Sequence, residues 1–171
     1  MCFCSGIYHL ADGSIVAHGQ GDVFTHCTGQ PLKDNYDVSA RILFGAKGSD
    51  GTATARVVLA ASDFSPVGLI SMKLDDRNNL MLMAQLYYEG SWSTILNVDW
   101  MNIGTDEILL NLRHVAGENL WQLQITDAVG TVLWTGSTAE ILPEATAAVQ
   151  YFGLGSYSSE VKYRDISIET Y

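Results

Sequence analysis

Positive charge is what this sequence has least of. Nine Lys and Arg stand against nineteen Asp and Glu in 171 residues, a formal net charge of −10. A polyanion would be repelled by that field before any local patch could act, which argues against nucleic acid and against anionic membranes as partners. Otherwise the acidity means solubility. Long apolar runs are missing as well. Hydrophobic residues make up 47% of the chain, but they are dispersed in alternation and never reach the ~18 consecutive residues of a membrane helix, so no membrane insertion is expected. Cysteine is scarce: Cys2, Cys4 and Cys27 are odd in number and fit no disulfide-rich module, so at least one thiol is free or pairs between chains. The opening MCFCSGIYHLADG lacks a basic segment followed by a long apolar run, and no signal peptide is read there. That fits cytoplasmic synthesis with assembly into a virion or onto a cell surface, or a secreted protein whose leader has been removed. Three catalytic signatures are also absent: Gly-x-Ser-x-Gly, a phosphate-cradling glycine loop leading into a helix, and His-Glu-x-x-His.

What is present is alternation. In residues 106–136, Ile108, Leu110 and Leu112 alternate with Leu109, Asn111 and Arg113, and Trp121, Leu123 and Ile125 alternate with Leu120, Gln122 and Gln124. This period of two is that of a strand. Two turns, at Gly117-Glu118-Asn119 and Asp127-Ala128-Val129-Gly130, join these strands to a third. The meander thus has an apolar face with Trp121 and Trp134 and a polar face with Asn111, Arg113, Gln122 and Gln124, which implies a second sheet behind the apolar side. Residues 36–44 alternate in the same way, with Tyr36, Val38, Ala40, Ile42 and Phe44 on one face. Further strands are expected at 54–61, 67–74, 79–87 and from Val161 to Thr170, with Ile166 and Ile168 inward. The glycine-rich stretch 45–52 reads as a loop, 90–104 as less regular, and 139–142 as a turn of helix stopped by Pro143. Residues 7–18 read as a hairpin with Asp12-Gly13 at the centre of a type I′ turn, Leu10 opposite Ile15, and His9 and His18 on one face. The whole is one all-β domain, 1–171, an antiparallel two-sheet sandwich, with residues 1–35 a hairpin or arm at its margin.

The order of these pieces, from YDVSARILF through LWQLQITDAVGTVL to the closing YFGLGSYSSEVKYRDISIE, resembles the concanavalin A-like lectin/glucanase superfamily, laminin-G-like jelly-roll modules included. The resemblance covers about residues 36–171 and is one of fold. It implies that the first and last strands are neighbours, with Arg41 near Asp165, and two classes of function, since function lives in sites grafted on a fold. The glucanase branch needs paired carboxylates, usually Glu-x-Asp-x-x-Glu on one strand. That motif is absent, so a glycoside hydrolase would require two close carboxylates from different strands.

The lectin branch binds sugar through amides, carboxylates and an aromatic platform. Candidates of those types are Tyr87, Tyr88, Trp92, Trp100 and Asn102 around the irregular segment, and Tyr157 in the GSYSS loop; the plain alternative is that Trp92 and Trp100 belong to the core. The expected function is therefore non-catalytic carbohydrate binding. The alternative is a structural module that binds another protein subunit or its own copies as a homo-oligomer. No cofactor is expected; calcium would have to come from Asp75, Asp76 and Asn78 or from Asp99 and Asn102, groups that also read simply as turns. The first thirty residues gather Cys2, Cys4, His9, His18, His26 and Cys27, whose spacing matches no zinc ligand set.

Overall fold

The structure, a computed structural model, describes residues 7–20, 22–26 and 31–171. In chain order the elements are β1 (Ile7–His9), β2 (Ile15–His18), β3 (Asp22–His26), β4 (Tyr36–Phe44), β5 (Ala53–Ala60), β6 (Pro66–Leu74), β7 (Asn79–Tyr88), β8 (Ser91–Asn102), β9 (Glu107–His114), β10 (Gln122–Thr126), β11 (Val132–Ser137), α1 (Pro143–Ala148), β12 (Tyr151–Tyr157) and β13 (Glu160–Thr170). They form two antiparallel sheets, one ordered β1-β2-β13-β4-β9-β10-β11 and the other β3-β12-β5-β6-β7-β8. The two-sheet sandwich expected from alternation is observed. The first long strand, β4, lies beside the last, β13, and Arg41 Nε donates to Asp165 at 3.0 Å. The early hairpin is joined to the first sheet, since β2 pairs with β13.

The apolar faces meet in one core to which both sheets contribute. At its centre lies Trp121, fully buried, with its indole ring against the backbone of Gly68 in the opposite sheet. Its Nε1–H donates to the Tyr36 hydroxyl at 2.9 Å, and burial pushes the Tyr36 phenol well above its usual range despite that bond. Tyr36 in turn stacks on His114, ring centroids 5.2 Å apart. The buried His114 ring bridges two backbone carbonyls, Asp34 O at 2.6 Å and Glu118 O at 2.9 Å, tying the loop before β4 to the turn after β9.

Five connections, four of them hairpins and one the crossing from β4 to β5, close with one turn design. In residues 10–14, 48–52, 61–65, 75–79 and 127–131 the first amide donates to the fifth carbonyl and the fourth amide to the first carbonyl. The fourth residue is left-handed each time: Gly13, Gly51, Phe64, Asn78 and Gly130. This is a type I turn followed by a bulge residue at positive φ. An Asp fixes each one. Asp12, Asp50 and Asp63 accept from the amide of the Ser or Thr two residues on, while Asp75 and Asp127 accept from the amides two and four residues on.

Four expectations need correction. The Asp12-Gly13 turn is this three-residue bulge turn and not type I′, so the register is Ile7↔Ala17, Tyr8↔Val16 and His9↔Ile15. Opposed residues share a face, and the one-residue slip places His9 and His18 on opposite faces. Residues 90–104, read as irregular, contain the twelve-residue β8. Its alternation is hidden because two register shifts interrupt its pairing with β7 and because it is a sheet edge with both faces partly wet. The helix begins at Pro143 and runs to Ala148, where it was expected to end at Pro143; proline's missing N–H costs nothing at the first helical position. Trp121, finally, lies just ahead of β10, its backbone N–H donating to Thr138 Oγ1.

Two expectations for stability follow from this architecture. A Cβ at Gly68 would lie 2.4 Å from Trp121 Cη2 and 2.8 Å from Cζ3, so Gly68→Ala must displace the indole and should lower stability by about 1–3 kcal/mol in urea unfolding. An unchanged midpoint would mean that the ring moves aside freely. The turn carboxylates set the acid limit. Hydrogen bonds hold five Asp below their ordinary range, chiefly the Ser14 side chain for Asp12, the Thr52 amide for Asp50, the Ser65 side chain for Asp63, the Asn79 side chain for Asp75 and the Thr131 amide for Asp127. Because the folded values are depressed, their contribution is fully present above about pH 4 and is lost as pH falls through the lowered values. The melting temperature should be flat from pH 7 to about 5 and fall below about 4, less steeply in a D63N/D75N/D127N variant. An equally steep fall in that variant would exclude the turns as the cause.

Candidate functional site

The outward face of the seven-stranded sheet is polar because each strand that buries one side in the core must present its alternate residues to water. On β4, β9, β10 and β13 those residues come into register as rows across the strands. One row reads Glu169, Asp37, Arg113, Gln122; the next reads Ser167, Ser39, Asn111, Gln124, Thr135. Between them lies a groove of about 360 Å³ lined by Asp37, Ser39, Asn111, Arg113, Gln124, Ser167 and Glu169. It continues into a second hollow of about 190 Å³ that adds Gln122, Leu123 and Thr135. From β13 to β11 the floor crosses four strand spacings, about 19 Å.

The centre of the groove offers neutral hydrogen bonding; one border carries the paired Asp37 and Arg113 beside the Glu169 carboxylate, and the other is a balanced cluster of charges. Ser39, Ser167, Asn111 and Gln124 offer hydroxyl and amide groups that both donate and accept. Asp37 is engaged by Arg113 Nε at 3.9 Å and by the Tyr171 hydroxyl, which donates at 3.3 Å and places an exposed ring at the rim. On the far border Arg41 contacts Glu107 at 3.4 Å and Asp165 at 3.0 Å, and Arg164 also binds Glu107. That bond with Glu107 holds the Arg164 guanidinium further above its usual range. Asp165 reaches Arg41 from a bulge in β13, its own φ at +51°. Asp37 and Glu169 are direct cross-strand partners facing the same side, two carboxylates brought together from different strands.

The residues singled out from sequence lie elsewhere and in three groups. Tyr87 and Trp92 are cross-strand partners at the β7–β8 turn, rings 5.1 Å apart, with Tyr88 following at the tip. Trp100 and Asn102 are at the other end of β8. Trp100 is 47% exposed, and the Asn102 amide donates to Arg77 O and Asn79 Oδ1, bracing the β6–β7 turn. Tyr157 ends β12, about 19 Å of strand spacing from β8, with the Arg56 guanidinium 4.6 Å over its ring.

For calcium, Asp75 is occupied by its turn, both carboxylate oxygens accepting from Arg77 or Asn79. Among the described residues no three His, Cys, Asp or Glu side chains gather to hold a metal ion. Cys2, Cys4 and Cys27 lie outside the described residues, as does the side chain of His26. The groove residues were visible in the sequence as the wet half of the alternation, but nothing there distinguished a binding face from an ordinary solvated one. Only the pairing of β4 with both β9 and β13 collects them.

Neither a family model nor a curated protein matches this chain by sequence. Solved structures match by fold. The carbohydrate-binding module CBM66 from Bacillus subtilis superposes with a TM-score of 0.64 at 11% identity, over 96% of this chain and 91% of that one. The CBM2 module of the evolved Dit protein of Lactobacillus casei BL23 phage J-1 gives 0.66 at 8% identity, over 92% and 76%. The alginate lyase from Klebsiella pneumoniae gives 0.61 at 6% identity, over 96% and 84%. At such identities the likeness is one of fold, and the fold is the concanavalin A-like jelly-roll sandwich.

Proposed function

We propose that the protein is a non-catalytic carbohydrate-binding module and that the groove on its seven-stranded sheet is the sugar site. The observation that carries this reading is the row Ser167-Ser39-Asn111-Gln124-Thr135, five neutral hydrogen-bonding side chains held in register on rigid strands. A saccharide presents hydroxyls that both donate and accept, and hydroxyl and amide side chains answer both roles without a charge to desolvate. Carbohydrate-binding modules among the fold neighbours support the class of ligand; lyases on the same fold show that the class can also be a substrate. Asp37 speaks for binding, since its carboxylate is already tied to Arg113 and Tyr171.

A second reading, an assembly module, draws on the likeness to a module of a phage protein. A light-scattering mass that rises above 18.6 kDa to a defined oligomer, with no sugar retained, would favour it.

The groove makes a quantitative prediction. Asn111→Ala and Gln124→Ala should each weaken oligosaccharide binding about five- to tenfold in calorimetry, the loss of one or two hydrogen bonds, with melting temperatures nearly unchanged because neither side chain is in the core. Binding of neutral sugars should be insensitive to salt. Unaltered affinity in both variants would refute the groove as the site. Release of reducing ends from the same sugars, abolished in Asp37→Asn, would replace binding by hydrolysis.

A further inference from the structure

Phe64 breaks the rule that its sibling turns keep. Where Asp12-Gly13-Ser14 and Asp50-Gly51-Thr52 place glycine in the left-handed position, residues 63–65 read Asp-Phe-Ser, and Phe64 takes φ +64° with 52% of its surface exposed. A bulky aromatic in that region is strained, and an exposed ring returns little burial to offset the strain. The turn itself does not need the ring, because glycine or asparagine closes the same hydrogen bonds in the other four.

The ring meets Tyr151, centroids 4.6 Å apart and planes at 35°. Tyr151 stands on the outward side of β12, next to the inward, buried Phe152. Tyr87 and Trp92 also stand outward, because Leu86 beside Tyr87 is buried and Tyr87 and Trp92 are direct partners. The registers of β12 with β5, β5 with β6 and β6 with β7 bring Tyr151 and Tyr87 to the same end of the six-stranded sheet. Three strand spacings separate β12 from β7, about 14 Å, and the Phe64 turn projects between them.

We propose that the ring pairs Phe64–Tyr151 and Tyr87–Trp92 form a stacking platform for a neutral polysaccharide chain laid across the strands, on the sheet opposite the groove. This rests on the carbohydrate reading above and extends it from a short sugar to a chain long enough to touch both pairs. Sugar rings offer apolar C–H faces at repeated intervals, which suits two separated ring pairs. With Phe64 52%, Tyr87 37% and Trp92 41% exposed, rings of roughly 150–250 Å² each fall short of the roughly 800 Å² per partner of a stable protein interface. The net charge of −10 disfavours a polyanionic chain.

The test is native affinity electrophoresis in gels containing hydroxyethyl cellulose, xylan or laminarin, with alginate as the anionic control, run alongside thermal melts. Phe64→Gly relieves the left-handed strain, so its melting temperature should match or exceed that of the parent while its retention by the polysaccharide that retards the parent falls at least fivefold. Trp92→Ala should lose retention to a similar degree. A lower melting temperature with full retention in Phe64→Gly would make Phe64 a structural cover for Tyr151 and overturn the platform. Retention abolished by Asn111→Ala and Gln124→Ala yet untouched by Phe64→Gly and Trp92→Ala would overturn the platform alone and leave the groove standing. No retention of the parent on any gel would overturn both.

Discussion

The packing of one indole between the sheets governs the architecture. Trp121 fills the space above Gly68 and is oriented by its hydrogen bond to Tyr36, so β10, β4 and β6 are located relative to one another by a single buried side chain. The stack of Tyr36 on His114 extends the same constraint to β9. Those strands of the first sheet are the ones whose opposite faces build the groove. Because a strand's side chains alternate with period two, fixing Tyr36, His114 and Trp121 inward fixes Asp37, Arg113 and Gln122 outward and in register. A groove of this kind needs no induced order, since its side chains stand on backbone that the core already holds.

Electrostatics are divided by place. The acidic excess is partly committed to turns, where Asp side chains take the amides that a reversing chain leaves without strand partners. Along the groove, by contrast, charges are largely paired across strands, Asp37 with Arg113 and, beyond the far border, Arg41 with Glu107 and Asp165, while Glu169 adds a carboxylate beside Asp37. A neutral strip of hydroxyls and amides is left between these borders. This distribution suits an uncharged polar ligand better than an ionic one.

Much of the fold was legible in the sequence. The alternation of residues 36–44 and 106–126 set the core faces, and the neighbourhood of Arg41 and Asp165 followed from the resemblance. Local chemistry misled where two turn designs share residues: Asp-Gly serves a type I′ turn and the bulge turn alike, and the residue on either side decides. At β8 the pattern failed because bulges interrupt its period and an edge strand owes the core only part of one face. The candidate groove was less legible. Aromatic residues drew attention to the β7–β8 region because rings are rare and conspicuous, whereas serine, asparagine and glutamine on a wet face look like any surface. What makes them a groove is pairing between strands distant in sequence, β4 with β9 and β13, and composition carries no trace of it. Phe64 was hidden in the opposite sense, since its oddity is a backbone angle.

The measurement that bears most directly on the groove is an amide and side-chain NH₂ map by two-dimensional NMR of the isotopically labelled protein, titrated with neutral oligosaccharides. The account predicts that the side-chain amide signals of Asn111, Gln122 and Gln124 shift together with the backbone of β4, β9 and β10, and saturate with one affinity. Saturable shifts confined to other surfaces, with those three side chains unmoved, would contradict it.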